Sequence, residues 1–149
     1  MGYFMMMRVL YMVVAGMFLF GCSREKATTT ELTYESGEIR GVGLMNDTLK
    51  EGEWVFWYEN GAVRDTSNWS EDTLDGSFIS FHENGTKASA GNYDNGRRTG
   101  KWEWWNESAR LEEVSFWKNG EPDGFATTYY ENGLVRTEVE WRNGAFEGV

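Results

Sequence analysis

Apolar and polar residues follow different patterns in two parts of the chain. Residues 9–20 form an uncharged apolar run. From about residue 28 onward, aromatic and β-branched residues alternate with polar ones in short segments, and Asn-Gly pairs separate many of these segments. Asn-Gly between alternating segments is the strongest short-range signal for a β-hairpin. The pattern therefore predicts an apolar leader followed by a series of hairpins.

The leader is predicted to direct export. Residues 9–20 are too few to span a hydrocarbon core of roughly 30 Å, but they fit the apolar region of a signal peptide. Leu19-Phe20-Gly21-Cys22 resembles a bacterial lipobox, whose cysteine receives a lipid and becomes the mature N-terminus. We expect a lipoprotein signal peptide at 1–21, lipidation of Cys22 and a flexible tether at 22–31. An ordinary signal peptide or a short anchor is the alternative.

A 24-residue repeat occupies residues 32–149, in about five copies that start near residues 28, 52, 76, 100 and 124. Positions are counted here from 0 at a recurring glycine. Position 5 is aromatic and position 7 is glutamate in every complete copy. Such a fixed period is the signature of a repeat architecture. The structural positions are glycine at 0 (Gly52, Gly76, Gly100, Gly124), glycine at 9 (Gly61, Gly85, Gly133) and an aromatic residue at 17 (Trp69, Tyr93, Trp117, Trp141).

Two turns fall in each repeat, and we expect both to be two-residue type I′ turns. With such a turn at positions 8 and 9, position 0 lies opposite position 17, so an aromatic ring covers each bare glycine. Position 5 then lies opposite position 12, which predicts cation–π pairs of Trp57 with Arg64 and of Tyr129 with Arg136. The third copy has Ser108-Ala109 in place of Asn-Gly, and we expect a longer or looser turn there.

The predicted fold is all-β, an elongated antiparallel meander of stacked β-hairpins that forms a single-layer sheet. One face carries positions 0, 2, 4 and 6 with the aromatic residue at position 17. Since one sheet has no second layer to cover it, its aromatic residues should stack between neighbouring repeats. Some of them are expected to stay partly exposed.

The segment from Gly52 to Gly61 reads G-x-W-x-x-W-Y-E-N-G, and a second Asn-Gly pair follows it in most copies. This repeat is similar to the MORN-repeat family, above all to the bacterial MORN-variant repeat of YwqK-type antitoxin components. The resemblance covers about residues 28–149. It implies 24-residue MORN-like hairpins in an extended sheet, and binding to protein partners or membrane lipids.

Composition argues against several kinds of functional site. The net charge is −10, or −11 without the leader and its Arg8, which disfavours binding to nucleic acid. One cysteine and one histidine leave no basis for a thiolate or His-rich metal site. We therefore predict no catalytic residues, no metal and no cofactor. The glutamates at position 7 are interpreted as solvated strand ends, and His82 as a substituted strand residue.

On these grounds we predict protein binding by a non-enzymatic module that is lipid-anchored in the bacterial cell envelope, at the outer membrane or facing the periplasm. A basic partner would suit the acidic surface, and an antitoxin or immunity-type role is one form of this function. The alternative is glycan binding through exposed tryptophans. An exposed aromatic cluster is the candidate binding surface in both cases: Trp54, Phe56, Tyr58, Trp102 and Trp104.

Overall fold

The computed structural model describes residues 27–148. They form eleven β-strands and, within that range, no helix. The strands are β1 (Thr28–Thr33), β2 (Ile39–Asn46), β3 (Leu49–Trp57), β4 (Val63–Ser70), β5 (Thr73–Phe81), β6 (Lys87–Asp94), β7 (Arg97–Trp105), β8 (Leu111–Lys118), β9 (Glu121–Tyr129), β10 (Val135–Arg142) and β11 (Ala145–Gly148).

All eleven strands belong to one sheet, in which each strand pairs with the next strand of the chain. Every pairing is antiparallel. The sheet is open, because β1 and β11 lie at opposite edges of the strand order. This confirms the predicted all-β, single-layer meander.

The predicted signal peptide and Cys22 lie outside the described residues. The predicted tether at 22–31 is wrong in its last part, because β1 already begins at Thr28. Thr28 pairs with Met45 and Thr30 with Gly43 on β2. Threonine favours strands, and pairing with β2 orders this polar segment.

The first turn of each repeat differs from the predicted type I′ turn. Tyr58 N donates to Ala62 O at 2.8 Å and Gly61 N donates to Tyr58 O at 3.0 Å. Only Gly61 of this loop has positive φ, at 84°. These features define a three-residue hairpin loop whose last residue is left-handed. Asn60 serves instead as an acceptor, since its Oδ1 bonds Ala62 N at 2.9 Å.

The third copy keeps the same loop, so the expected longer or looser turn is wrong. Asn106 N donates to Arg110 O at 2.9 Å, and Ala109 N donates to Asn106 O at 2.8 Å. Ala109 adopts φ 58° in the place that glycine holds elsewhere. The third copy therefore keeps the same loop length, and Ala109 adopts a strained left-handed backbone conformation to do so.

The second turns of the four complete copies are two-residue type I′ turns, as predicted. Asn95 and Gly96 have φ of 47° and 76°, and they join Asp94 to its pairing partner Arg97. Each such turn also bonds to the preceding repeat. Gly96 N donates to Leu74 O at 2.8 Å, and the turns at residues 72, 120 and 144 make the equivalent bond.

The predicted pairing of positions 0 and 17 is confirmed by Gly52 with Trp69 and by Gly100 with Trp117. The predicted ring coverage of these glycines is wrong, because a Cβ on Gly52 would approach only Leu44, at 3.8 Å. Their φ of 67° explains why glycine stands there.

In each complete repeat, the hairpin that contains the first turn has a β-bulge, and the strand register shifts between the bulge and the turn. Phe56 pairs with Asp65, but the next residue, Trp57, pairs with Val63, which leaves Arg64 unpaired in the ladder. Arg64 consequently lies over the Phe56 ring, 5.1 Å from its centroid, and the predicted pair with Trp57 is wrong. A bulge places one extra residue on one strand and is not visible in the spacing of the repeat.

The same correction applies to the last complete copy. Val135 pairs with Tyr129 and Thr137 with Thr128, which bypasses Arg136. Arg136 lies 5.9 Å from the ring centroid of Tyr130 rather than beside Tyr129.

Candidate binding face

One row of side chains crosses the sheet from β2 to β10 on the face called here the aromatic face. Trp54 pairs with Gly43 on one side and with Ser67 on the other. A Cβ on Gly43 would overlap the Trp54 ring, and a Cβ on Gly91 would overlap the Trp102 ring. Strands are only about 4.8 Å apart, so an indole lying across the sheet needs a small neighbour. The row is Gly43, Trp54, Ser67, Phe78, Gly91, Trp102, Ser115, Ala126 and Val139.

This packing corrects the expected exposed aromatic cluster. Trp54 and Trp102 are 0% and 1% exposed, and Phe56 is 6% exposed. Their rings lie over backbone and are stacked on neighbours: Trp54 on Phe56 at 5.5 Å between centroids and Trp102 on Trp104 at 5.8 Å. These three residues form the core of the described sheet, so they are not available as contact residues. Trp104 is half-buried.

Tyr58, the remaining member of the cluster, has a structural contact as well. Its hydroxyl donates to Phe81 O at 2.8 Å, one repeat further on. Tyr34 makes the same bond to Trp57 O at 2.7 Å. His82 occupies this position in the next copy, and its Nε2 donates to Trp105 O at 2.8 Å. Position 6 therefore links successive repeats in the first three of the five copies, which supports the interpretation of His82 as a substituted strand residue.

Two cations lie against the buried tryptophans, one in each half of the sheet. Lys50 Nζ is 4.5 Å from the Trp69 ring centroid and 5.9 Å from that of Trp54. Arg98 is 4.8 Å from the Trp102 centroid and 4.9 Å from that of Trp117. Both cations stand at position 22, two repeats apart. The indole N–H groups are satisfied too, since Trp54 Nε1 donates to Leu44 O at 2.9 Å.

These contacts reveal an alternation of 48 residues on top of the 24-residue period. Copies with tryptophan at position 2 follow a cation at position 22, and glycine and serine alternate at position 15 in the first four of the five copies. The alternation was present in the sequence and was missed there, because the strongest columns, glycine at 0 and glutamate at 7, do not alternate. It divides the aromatic face into two similar halves.

The first half contains a hollow of about 540 Å³, called here the first hollow. Its lining mixes aromatic, aliphatic and charged groups: Leu32, Arg40, Met45, Lys50, Phe56, Arg64, Asp65, Trp69, Leu74 and Phe78.

Ion pairs shape the wall and rim of the first hollow. Arg64 Nε bonds Asp65 Oδ2 at 2.8 Å, and Ser67 Oγ donates to the other carboxylate oxygen at 3.2 Å. Lys50 Nζ bonds Asp72 Oδ1 at 2.6 Å. This hydrogen bond from Lys50, together with the ammonium charge, lowers the pKa of the Asp72 carboxyl below its usual 3.8.

The second half contains a hollow of about 440 Å³, called here the second hollow. At the two bulge positions it has Glu112 and Glu113, where the first hollow has Arg64 and Asp65. The two hollows therefore differ in charge. The second hollow is lined by Trp104, Glu112, Glu113, Thr128, Tyr129 and Arg136.

The opposite face carries a row of mainly β-branched residues. Val55 pairs with Val42 and Thr66, and Thr66 pairs with Ile79. These residues are half-buried, and beside them a hollow of about 410 Å³ lies against Phe81. In the later copies this row contains Glu103 and Glu138, with Val114 between strands β7 and β9 as an apolar member. The row is therefore more apolar in the first half than in the second.

The glutamates at position 7 are all exposed in the first turns, as expected for solvated strand ends: Glu59, Glu83, Glu107 and Glu131. Residues 27–148 contain no group of three or more His, Cys, Asp or Glu residues arranged to hold a metal ion. Over the same range there is no helix long and apolar enough to cross a membrane.

The fold and this face define a class of repeat protein in which hairpins stack into one continuous sheet. Within that class, residues 50–70 and 74–95 match the MORN repeat variant. The first match covers nearly all of β3 and β4, and the second nearly all of β5 and β6. No curated protein matches the chain. MORN repeats suggest a repeat-based binding or scaffold role.

Proposed function

We propose that this chain is a non-enzymatic binding module that is lipid-anchored in the bacterial envelope and binds a protein through the aromatic face. The observation that carries the proposal is the pair of charged hollows on one continuous sheet. The buried Trp54 and Trp102 rings of this sheet are packed against backbone. A rigid sheet with preformed hollows loses little conformational entropy on binding. The charge of −10 would favour encounter with a basic partner.

The lipid anchor rests on the lipobox-like Leu19-Phe20-Gly21-Cys22 alone. Its test is metabolic labelling with a radioactive fatty acid in cells that express the full chain or its Cys22→Ala variant. We expect label and membrane association for the parent and neither for the variant. Equal labelling of both proteins would remove the anchor from the proposal.

The binding role is tested by cross-linking the full-length protein to envelope proteins in cells. Glu112→Lys places a charge reversal in the second hollow, and Glu83→Lys makes the same change of charge at an exposed turn. We expect a defined protein to be cross-linked to the parent and to Glu83→Lys, and to be lost with Glu112→Lys. Failure of the parent to retain any protein, or equal retention by both variants, would contradict binding through this face.

An antitoxin or immunity-type role is the narrower form of the proposal. An exported, anchored protein would meet a toxin outside the cytoplasm, where the acidic face could bind a basic toxin surface. Expression of the full chain should then protect cells from a toxin encoded beside it. The glycan alternative has less support, because sugar binding needs open aromatic faces and Trp54 and Trp102 are buried.

A further inference from the structure

The first hollow differs in charge from the rest of this acidic chain. Three cations, Arg40, Lys50 and Arg64, line or border it, against the two carboxylates of Asp65 and Asp72. We propose that the first hollow binds an acidic segment of the protein partner, with glutamate or aspartate side chains placed on either side of an apolar side chain. The inference rests on the proposed protein-binding function and names the chemistry of one contact.

The two arginines occupy equivalent places on the strands that flank β3. Arg40 is the bulged residue of β2, next to Gly41, and Arg64 is the bulged residue of β4, next to Asp65. Gly41 and Asp65 both pair with Phe56. Since neighbouring strands lie about 4.8 Å apart, the two arginine backbones are roughly 10 Å from each other.

Both arginines retain donors for a ligand. Asp65 engages only Nε of Arg64, and Arg40 makes no ion pair with another residue in the 27–148 range. Guanidinium groups bind carboxylates through paired N–H donors. Phe56 between them is buried, so it fixes the floor of the hollow without supplying an open ring face.

The apolar part of the lining fits a peptide better than a sugar. Arg64 lies over Phe56 and Lys50 over Trp69, so cations cover the aromatic faces on which a pyranose would stack. Leu32, Met45 and Leu74 complete the wall with aliphatic surface. This combination suits an aliphatic side chain with a carboxylate on each side of it.

The second hollow gives an internal comparison. Glu112 and Glu113 replace the Arg–Asp pair of the first hollow, so a segment attracted by one hollow is repelled by the other. A partner with an acidic segment therefore has one preferred direction along the sheet. Its acidic segment lies over β2–β5, and its basic surface lies over β7–β10.

The test uses the full chain, purified from membranes in detergent, and fluorescent peptides of alternating residues: Glu-Leu, Gln-Leu and Lys-Leu. Fluorescence anisotropy measures their dissociation constants. We expect the Glu-Leu peptide to bind at least about tenfold more tightly than the Gln-Leu peptide, as for several charge-assisted bonds acting together. Arg40→Gln should weaken Glu-Leu binding about threefold to fivefold, as for one exposed ion pair.

A second variant tests Arg64 without leaving a carboxylate unpaired. Arg64→Gln with Asp65→Asn removes both charges of the pair and keeps the net charge, and combined with Arg40→Gln it should weaken Glu-Leu binding about tenfold or more. Arg110→Gln is the matched control, because Arg110 is exposed and lies outside the first hollow. Circular dichroism with thermal unfolding shows that each variant is folded.

Equal binding of the Glu-Leu and Gln-Leu peptides, or an unchanged affinity in both first-hollow variants, would overturn the inference. Binding of polygalacturonate without binding of the Glu-Leu peptide would overturn it in favour of an acidic glycan. Peptide binding without a cross-linked envelope protein would support the acidic-peptide site in the first hollow and contradict the proposed protein-binding function. A cross-linked protein that is lost with Glu112→Lys, without peptide binding, would support the proposed function and overturn the inference about the first hollow.

Discussion

Single small residues decide which rings of this sheet are buried. Gly43 and Gly91 let an indole lie flat on the backbone, whereas Ser67 carries a Cβ and a hydroxyl in the same row. Ser67 Oγ accepts from Trp69 Nε1 at 2.9 Å, so the serine satisfies one tryptophan while it leaves room for another. The tryptophans thus supply stability, and under the proposed function the groups around them supply recognition.

Ala109 carries the clearest local strain in the described sheet. A left-handed conformation costs a non-glycine residue roughly 1–2 kcal/mol. Glycine removes this strain, but it also raises the conformational entropy of the unfolded chain, which offsets part of the gain in stability. Ala109→Gly should therefore stabilise the protein by about 0.5–1 kcal/mol. Urea unfolding followed by tryptophan fluorescence measures this change.

The reciprocal substitution is the control for Ala109→Gly. Gly85 has φ 83° in the same turn position, and a Cβ there would meet no atom within 4 Å. Gly85→Ala should therefore lower the unfolding midpoint through backbone strain alone. A lower midpoint for Ala109→Gly would contradict the assignment of strain to this alanine.

Asp72 gives stability a dependence on pH. Its pKa is lowered in the folded state by the hydrogen bond from Lys50, so folding favours the ionised carboxylate. This contribution is fully present above the unfolded value near 3.8 and is lost as pH falls through the lower folded pKa. NMR titration of the Asp72 carboxyl should give a midpoint below 3.8, and Lys50→Gln should return it toward that value. A midpoint unaffected by Lys50→Gln would contradict the stated cause.

At the scale of strands and turns, the 24-residue period was enough to predict every hairpin. It was not enough to separate the two turn types, because Asn-Gly occurs in both. In the first turn only glycine needs positive φ, and in the second turn both residues need it, which is why Glu71 and Asp72 are strained at φ 48° and 62°. The bulge at Arg64 was equally hidden, since a bulge changes the partner of a residue and not its spacing.

The hydrogen bonds of position 6 join one hairpin to the next. Tyr58→Phe removes a donor and leaves Phe81 O without this partner, so we expect a loss of about 1 kcal/mol, as for a typical hydrogen bond. The readouts are the unfolding midpoint and the amide exchange rates in the turn between β5 and β6.

Tyr130→Phe is the matched control for Tyr58→Phe. Tyr130 occupies the same repeat position, but it is 54% exposed and its hydroxyl makes no hydrogen bond to another described residue. Its removal should leave stability nearly unchanged. Equal losses for both substitutions would show that the phenol packing, and not the bond between repeats, is responsible.

At the scale of the whole sheet, stability is unevenly distributed. The fully buried side chains lie between β3 and β7, and no residue of β9–β11 is buried. The row that contains Trp54 and Trp102 ends in Ala126 and Val139, which bury less surface. Amides of β9–β11 should therefore exchange with deuterium faster than those of β1–β2, although both groups of strands include an edge of the sheet. Equal exchange at the two ends, measured by mass spectrometry of peptides, would contradict this asymmetry.

The candidate site was predicted less well than the fold. Aromatic residues at fixed positions identified the face on which the rings lie, but a sequence does not show that a glycine on the neighbouring strand admits a ring and buries it. The hollows depend on which charged residues the bulges place side by side. That arrangement follows from pairing between repeats, which the period alone leaves open.

The order of strands also determines how the sheet would respond to force. β1 and β11 lie at opposite edges, about 48 Å apart at ordinary strand spacing. Tension between them acts along the hydrogen bonds, which run perpendicular to antiparallel strands, and would open one strand pair at a time instead of shearing many bonds together. The described residues could then extend to about 400 Å. Under load the sheet would behave as a compliant line that lengthens hairpin by hairpin.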